Sequence, residues 1–134
     1  MDTWPDTLGQ AANCKDMIAL VTGGTGGIGF YVVKLLAKMG VTVIVPKRPG
    51  LEDEAVGTEK VVLAAAPGAK LIFPAVPLDL RSVASVRAFA DHIRGTQPRI
   101  DRLCLNAGRG GGPLDPREIT GDGMEARYGN TSLF

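Results

Sequence analysis

The sequence predicts an α/β fold in which a doubly wound parallel sheet carries helices on both faces. Short apolar runs rich in β-branched residues alternate along the chain with longer segments of helical periodicity. The first of these runs is continuous and apolar, which is typical of a parallel strand that is covered on both sides. Because the chain has 134 residues and no linker divides it, residues 1–134 form one predicted domain.

The first half of the chain is predicted to fold as strand, helix, strand and helix. Apolar residues recur at helical spacing before Gly40, a typical helix-ending residue. Pro46 closes the second strand, and acidic residues open the second helix, where the helix dipole favours negative charge. The predicted elements are a strand over residues 17–21, a helix over 27–39, a strand over 41–45 and a helix over 51–67.

The second half continues this alternation. Pro74 and Pro77 remove hydrogen-bond donors from the third strand, which places that strand at an edge of the sheet. Ser82 can cap the third helix, and Asp122 and Glu125 have the spacing of a capping box at the start of a further helix. The predicted elements are a strand over residues 71–78, a helix that ends near residue 95 and a strand over 100–105. Right-handed crossovers with one reversal of strand order give the order 3-2-1-4 of a Rossmann fold, truncated after about four strands.

Composition and charge exclude several classes of partner. The 15 Lys and Arg residues balance 14 Asp and Glu residues, so the chain lacks the basic surface that nucleic acids or acidic membranes require. Its longest apolar runs, such as residues 61–66, fall far short of the ~20 residues that cross a bilayer. Residues 1–10 lack the apolar core of a secretion signal, and Cys14 and Cys104 are too isolated for a disulfide framework or a zinc site. We therefore expect a cytoplasmic protein without a metal site.

A glycine-rich turn, residues 22–29, lies between the first strand and the first helix. Glycines remove the Cβ atoms that would keep a phosphate away from backbone N–H groups, and the positive end of the helix dipole faces such an anion. Two registers fit a dinucleotide-binding pattern. They are Gly24-x-Gly26-x-x-Gly29 and the longer Gly23-x-x-x-Gly27-x-Gly29.

Two cations follow the second strand, at the position where a dinucleotide-binding domain contacts the adenosine ribose. An acidic residue there would bind the ribose hydroxyls of NAD, but this chain has Lys47 and Arg48. Both side chains can attract the 2′-phosphate of NADP, and Arg can bind it bidentately. The pattern therefore favours NADP over NAD. The alternative is that both side chains are solvated charges of a turn.

Three motifs follow one another along the chain: the longer glycine register preceded by Thr22, the pair Asp79-Leu80, and Asn106-Ala-Gly108 after the fourth strand. With these motifs the chain resembles the short-chain dehydrogenase/reductase family from about residue 17 to its end. The resemblance implies that the Asp faces the adenine amino group and that the Asn-Ala-Gly motif steadies the sheet beside the cofactor ribose. With the two cations included, the candidate cofactor-binding residues are Thr22, Gly23, Thr25, Gly27, Ile28, Gly29, Lys47, Arg48, Asp79, Leu80, Asn106, Ala107 and Gly108.

The stretch Thr120-Gly-Asp-Gly-Met-Glu125 is similar to one in the branch of the family that contains retinol dehydrogenases and protochlorophyllide reductases. The resemblance implies that the helix begun here carries an Asn that helps to order a proton-relay water. Asn130 is the nearest candidate for this catalytic role, whereas an ungapped alignment would put Thr131 there. A surface position for Asn130 is the alternative.

The resemblance places a Tyr-x-x-x-Lys pair and an upstream Ser on elements beyond the last helix begun here, and the sequence contains no such pair. In the family this pair moves the proton that accompanies hydride transfer, because the Lys lowers the pKa of the phenol. We therefore expect the cofactor-binding half of an NADP(H)-dependent oxidoreductase that acts on a carbonyl, an alcohol or an enone, in a domain incomplete at its C-terminal end.

Other functions stay open. The chain could be a dinucleotide-binding module without turnover or an inactive fragment, and Lys47 and Arg48 argue against a methyltransferase-like nucleotide site, which would need an acid for the ribose. The expected partners are the dinucleotide and, in a longer chain, a small-molecule substrate. A homo-oligomer is compatible with the sequence.

Overall fold

The computed structural model describes residues 14–108, 110 and 115–127. Strands and helices alternate within this part of the chain. In chain order the elements are β1 (Ile18–Val21), α1 (Gly27–Lys38), β2 (Thr42–Ile44), α2 (Glu52–Ala65), β3 (Leu71–Ile72), α3 (Val83–Thr96) and β4 (Arg102–Cys104). All strand pairs among them are parallel, and the sheet order is β3-β2-β1-β4. The predicted Rossmann-type order 3-2-1-4 is confirmed.

The sheet is buried between two apolar clusters, one on each face. Alternate residues of β1 belong to opposite clusters, Ala19 and Val21 to the first and Leu20 to the second. The first cluster contains side chains of α1 and α2, and the second contains side chains of α3, so helices cover both faces. The buried members are Cys14, Ala19, Val21, Val33, Ala37, Val41, Val43, Val45 and Val62 in the first cluster and Leu20, Ile44, Leu78, Leu80, Phe89 and Ile93 in the second.

Helix α1 ends where the sequence predicts. Met39 is its C-cap, and Gly40 follows with a φ of 81°, in the left-handed region that glycine adopts without a steric penalty. The N–H groups of Gly40 and Val41 donate to the carbonyl oxygens of Ala37 and Leu36 over 3.0 and 3.1 Å. These bonds satisfy the last carbonyls of the helix and turn the chain directly into β2.

The third strand is shorter than predicted. Strand β3 contains only Leu71–Ile72, whereas the sequence predicted a strand over residues 71–78. The two prolines cannot donate to a neighbouring strand, and the N–H of Leu78 instead donates to the carbonyl oxygen of Lys47 over 2.8 Å. The segment thus returns beside the residues that follow β2, and β3 lies at an edge of the described sheet, as the prolines predicted.

The prediction that Asp122 and Glu125 form a capping box at the start of a further helix is wrong. The carboxylate of Asp122 accepts a hydrogen bond of 2.7 Å from the N–H of Val83, so it caps α3 and does not begin a helix of its own. Helical backbone starts only at Ala126. The predicted cap Ser82 is confirmed, because its hydroxyl accepts from the N–H of Ser85 over 3.3 Å. Two side chains from distant parts of the sequence therefore cap the same helix.

No helix of the described ranges is long and apolar enough to cross a membrane. The same residues contain no group of three or more His, Cys, Asp or Glu side chains that could hold a metal ion.

At the opposite end of the sheet from the glycine turn, one carboxylate joins the starts of β1 and β4. Asp101 Oδ2 accepts a 2.8 Å hydrogen bond from the N–H of Ile18, and Arg99 Nε lies 3.0 Å from Asp101 Oδ1. The Ile18 hydrogen bond is the main cause that lowers the pKa of Asp101, and Arg99 lowers it further.

We expect acid to weaken this link. The pKa of Asp101 is lower in the folded chain than in the unfolded chain, so its stabilisation is present above about pH 4 and is lost as the pH falls through the folded-state pKa. Denaturant titrations at about pH 6 and about pH 3 measure the change in the free energy of unfolding. Asp101→Asn should be less stable than the parent at the higher pH and should lose less on acidification. Equal losses in both proteins would contradict the assignment.

Candidate cofactor site

Three loops meet at the carboxyl edge of the sheet. The glycine turn follows β1, the loop over residues 105–108 follows β4, and the loop over residues 45–51 follows β2. Because β2, β1 and β4 are parallel neighbours, their following loops emerge side by side. In open α/β sheets the crevice outside these strand ends, where the strand order reverses, is where ligands bind.

Two glycines of the turn leave no room for a side chain. Gly23 has a φ of 65°, and a Cβ built on it would lie 2.9 Å from Ala107 Cα. A Cβ on Gly29 would overlap the carbonyl oxygen of Gly23 and the side-chain amide of Asn106. Only glycine fits at these two positions, because the turn packs directly on the first turn of α1 and on the loop after β4.

The structure favours the longer of the two glycine registers. Its middle position, Gly27, has a φ of 52°, so all three of its glycines are required by conformation or by contact. In the shorter register, Gly26 has extended backbone with a φ of −156°, and a Cβ there would meet nothing within 4 Å. Gly24 does need to be small, but for packing: its Cβ would lie 2.8 Å from Val33 Cγ2.

Asn106 and Thr22 fasten the glycine turn to the loop after β4. The side-chain amide of Asn106 donates to the carbonyl oxygens of Thr22 and Gly23 over 3.2 and 3.4 Å. The N–H of Ala107 donates to the Thr22 hydroxyl oxygen over 3.0 Å, and Thr22 is buried. The polar atoms of Thr22, Asn106 and Ala107 therefore fix the shape of the turn. Gly108 lies exposed at the end of the same loop.

The N-terminus of α1 is open. Its N-cap is Gly26, no side chain caps it, and its first turn contains no acidic residue. The first N–H groups of a helix have no partner within the helix. A Cβ on Gly26 or Gly27 would meet no atom within 4 Å, and the side chain of Ile28 is exposed beside them. These residues fit an anionic group such as a diphosphate, which would find uncapped N–H groups and the positive end of the helix dipole.

A carboxylate that the sequence did not single out lies between the glycine turn and the loop after β2. Glu54, in the first turn of α2, accepts a 3.0 Å hydrogen bond from the Thr25 hydroxyl and forms a 2.6 Å ion pair with Arg48 Nη2. The Arg48 hydrogen bond lowers the pKa of Glu54, partial burial opposes it, and the Thr25 hydrogen bond adds to it. The sequence explains the acidic run of α2 by the helix dipole alone, and no sequence pattern predicts the contacts of Glu54 with Thr25 and Arg48.

The remaining predicted site residues are placed as follows. Leu80 is buried in the second apolar cluster, so its side chain serves the core. Asp79 Oδ1 accepts a 2.9 Å hydrogen bond from the N–H of Arg81, in a turn that leads into α3. Lys47 is partly buried and its carbonyl oxygen holds the Leu78 N–H. Asn130 lies outside the described residues.

Known proteins resemble this chain in sequence. Residues 17–125 match the family model of the short chain dehydrogenases. Over 112 residues the chain is 38% identical to polyprenol dehydrogenase from Mus musculus, a match that covers 84% of this chain and 31% of that protein. The chain spans about a third of the length of the curated relatives it matches.

Two solved structures are similar to the fold described above. A metagenomic short-chain oxidoreductase in complex with NADP is 30% identical with a TM-score of 0.64, over 77% of this chain and 45% of that chain. An NADPH-bound short-chain oxidoreductase from Pseudomonas aeruginosa PAO1, with an atypical catalytic centre, is 31% identical with a TM-score of 0.62, over 83% of this chain and 39% of that chain.

Gly29→Ala should destabilise the chain by about 2–3 kcal/mol or prevent folding, because the new methyl group displaces the Gly23 carbonyl and the Asn106 amide. Gly26→Ala is the matched control within the same turn. Its methyl group enters open space, and it should cost at most about 1 kcal/mol through the poorer N-cap. Chemical denaturation measures the free energy of unfolding of both variants and of the parent. Equal stability of the two would show that the close approach at Gly29 does not constrain the fold.

Proposed function

The chain belongs to the short-chain dehydrogenase/reductase family, and on this premise we propose that it binds NADP(H) as the cofactor half of an oxidoreductase. A nicotinamide cofactor gives or accepts the hydride in such a reaction. The proposed substrate class of the whole protein is a small carbonyl compound, alcohol or enone. A cytoplasmic location stays a prediction.

One observation carries the proposal: the N-terminus of α1 is uncapped, faces open space at Gly26 and Gly27, and lies at the carboxyl edge of the sheet. An anion there gains hydrogen bonds from N–H groups that otherwise only water can satisfy. The work of this chain in the reaction is thus to hold the diphosphate and to fix the orientation of the cofactor relative to the sheet. Asn106 supports this role by fastening the turn to the loop after β4.

The preference for NADP(H) over NAD(H) is part of the proposal. Lys47 and Arg48 follow β2, and the Arg48 guanidinium reaches toward the glycine turn, since its ion-pair partner Glu54 also accepts the Thr25 hydroxyl. A guanidinium in the interval between the turn and the end of β2, where the ribose of a dinucleotide lies, is suited to a 2′-phosphate. The similar metagenomic and Pseudomonas aeruginosa structures contain NADP and NADPH.

Proton transfer is not assigned to a described residue of this chain. Hydride transfer to a carbonyl needs a proton donor close to the carbonyl oxygen. Tyr31 and Lys34 lie on α1, and Tyr31 is exposed. We therefore interpret both as residues of the helix surface and not as the proton-transfer pair. The proton-relay role of Asn130 remains a prediction that rests on the resemblance alone. The relation to the retinol dehydrogenase branch rests on the same resemblance and also remains a prediction.

Titration calorimetry of the 134-residue chain with NADPH tests the proposed binding. Gly26→Ala places a methyl group in front of the helix terminus and should weaken NADPH about tenfold or more, because the diphosphate loses its close approach to the N–H groups. Gly57→Ala is the control, since this glycine lies within α2 and a Cβ on it would also meet no atom within 4 Å. Absence of NADPH and NADH binding by the folded parent would overturn the proposed function.

Replacement of both Lys47 and Arg48 by Ala should separate the two cofactors. NADPH should bind about 10- to 100-fold more weakly, because its 2′-phosphate loses charge-assisted hydrogen bonds. NADH has no such phosphate and should change by less than about threefold. Lys60→Ala, an exposed position on α2, controls for a loss of positive charge elsewhere. Equal weakening of NADPH and NADH would contradict the assignment of these cations to the 2′-phosphate.

A further inference from the structure

We propose that Glu54 is a specificity-determining residue whose carboxylate occupies the position between Thr25 and Arg48 that the 2′-phosphate of NADPH requires. This inference rests on the proposed function, because it concerns the ribose end of the same cofactor site. Removal of the Glu54 charge should therefore improve NADPH binding, whereas removal of the Lys47 and Arg48 charges should weaken it.

The placement of Glu54 is the first step. Its Oε1 lies 2.6 Å from Arg48 Nη2, and its Oε2 accepts the Thr25 hydroxyl at 3.0 Å. One carboxylate therefore spans the glycine turn and the loop after β2. The ribose of a bound dinucleotide lies between its diphosphate and the end of the second strand, which is the same interval. A carboxylate and a phosphate oxygen would compete there for one guanidinium and one hydroxyl.

The charges give the direction of the effect. A 2′-phosphate carries roughly −1.5 to −2 charges near neutral pH, like other phosphate monoesters, and an adjacent ionised carboxylate repels it. The 2′-hydroxyl of NADH has no charge and can donate a hydrogen bond to a carboxylate, as it does in sites that select NAD. Glu54 in its present position therefore opposes NADPH and is neutral or favourable toward NADH.

Glu54 is distinct from the other acidic residues of the same helical turn. Glu52 and Asp53 are exposed, and neither forms a hydrogen bond or an ion pair with Arg48 among the described residues. Their place in the first turn of α2 is explained by the helix dipole. The Glu54 side chain is 36% exposed and its Arg48 partner 63% exposed, so both have room to rotate when a ligand enters.

Binding of NADPH and NADH to Glu54→Gln tests the inference, with Glu52→Gln as the matched control. Both variants remove one negative charge from the first turn of α2, and Gln keeps the size of the side chain. Glu54→Gln should bind NADPH about fivefold or more tightly than the parent, while NADH binding stays equal or becomes weaker. Glu52→Gln should leave the ratio of the two dissociation constants within about twofold of the parent. Thermal unfolding and circular dichroism verify that each variant is folded.

Each outcome decides the question. Tighter NADPH binding by Glu54→Gln alone supports competition by the carboxylate. Weaker NADPH binding would overturn it and would show that Glu54 positions Arg48 for the phosphate instead. An equal change for NADPH and NADH, or the same change in Glu52→Gln, would also overturn it, because only a general charge effect would remain. If the folded parent binds neither cofactor, the proposed function itself fails, which is a different result from all of these.

Discussion

The close approach between the glycine turn and the loop after β4 is the constraint on which the site depends. Gly29 lies against the Gly23 carbonyl with no space for a Cβ, and the Asn106 amide bonds the same carbonyl and that of Thr22. The turn can therefore be tight enough to present the N-terminus of α1 at the strand ends. These contacts leave little room for displacement, because the turn and the loop directly follow β1 and β4, two strands of a sheet that is packed on both faces.

This arrangement gives two positions that could accept an anion, one of which is open and one of which already contains a carboxylate. The N-terminus of α1 has neither a side-chain cap nor an acidic residue in its first turn. The position between Thr25 and Arg48 already contains the carboxylate of Glu54. An open helix terminus gives affinity for any diphosphate, whereas an internal carboxylate beside a guanidinium changes which ribose substituent is accepted. In the proposed site, affinity and selectivity therefore depend on separate elements, the N-terminus of α1 and the first turn of α2.

Much of the fold could be predicted because its signals are local. The periodicity of α1, the glycine at position 40 and the serine at position 82 each act within a few residues, and the strand order follows from general rules of handedness. The misses involve contacts between distant segments. After β3 ends at Ile72, the N–H of Leu78 donates to the Lys47 carbonyl oxygen. Asp122 caps a helix that begins at Val83, and Glu54 bonds Thr25 and Arg48 in the preceding loops. No pattern in one sequence reports such pairings.

The bond from Asp122 to the Val83 N–H has a consequence for cooperativity. It ties residues separated by 39 positions, so the first turn of α3 is complete only while the segment around Thr120 is docked. An ion pair between Arg81 and Glu118 reinforces the same junction. Departure of that segment would leave an exposed amide and would let α3 fray from its N-terminal end, toward Phe89 in the apolar cluster beneath the sheet. Undocking of the segment around Thr120 and local opening at the start of α3 are therefore coupled through these two contacts.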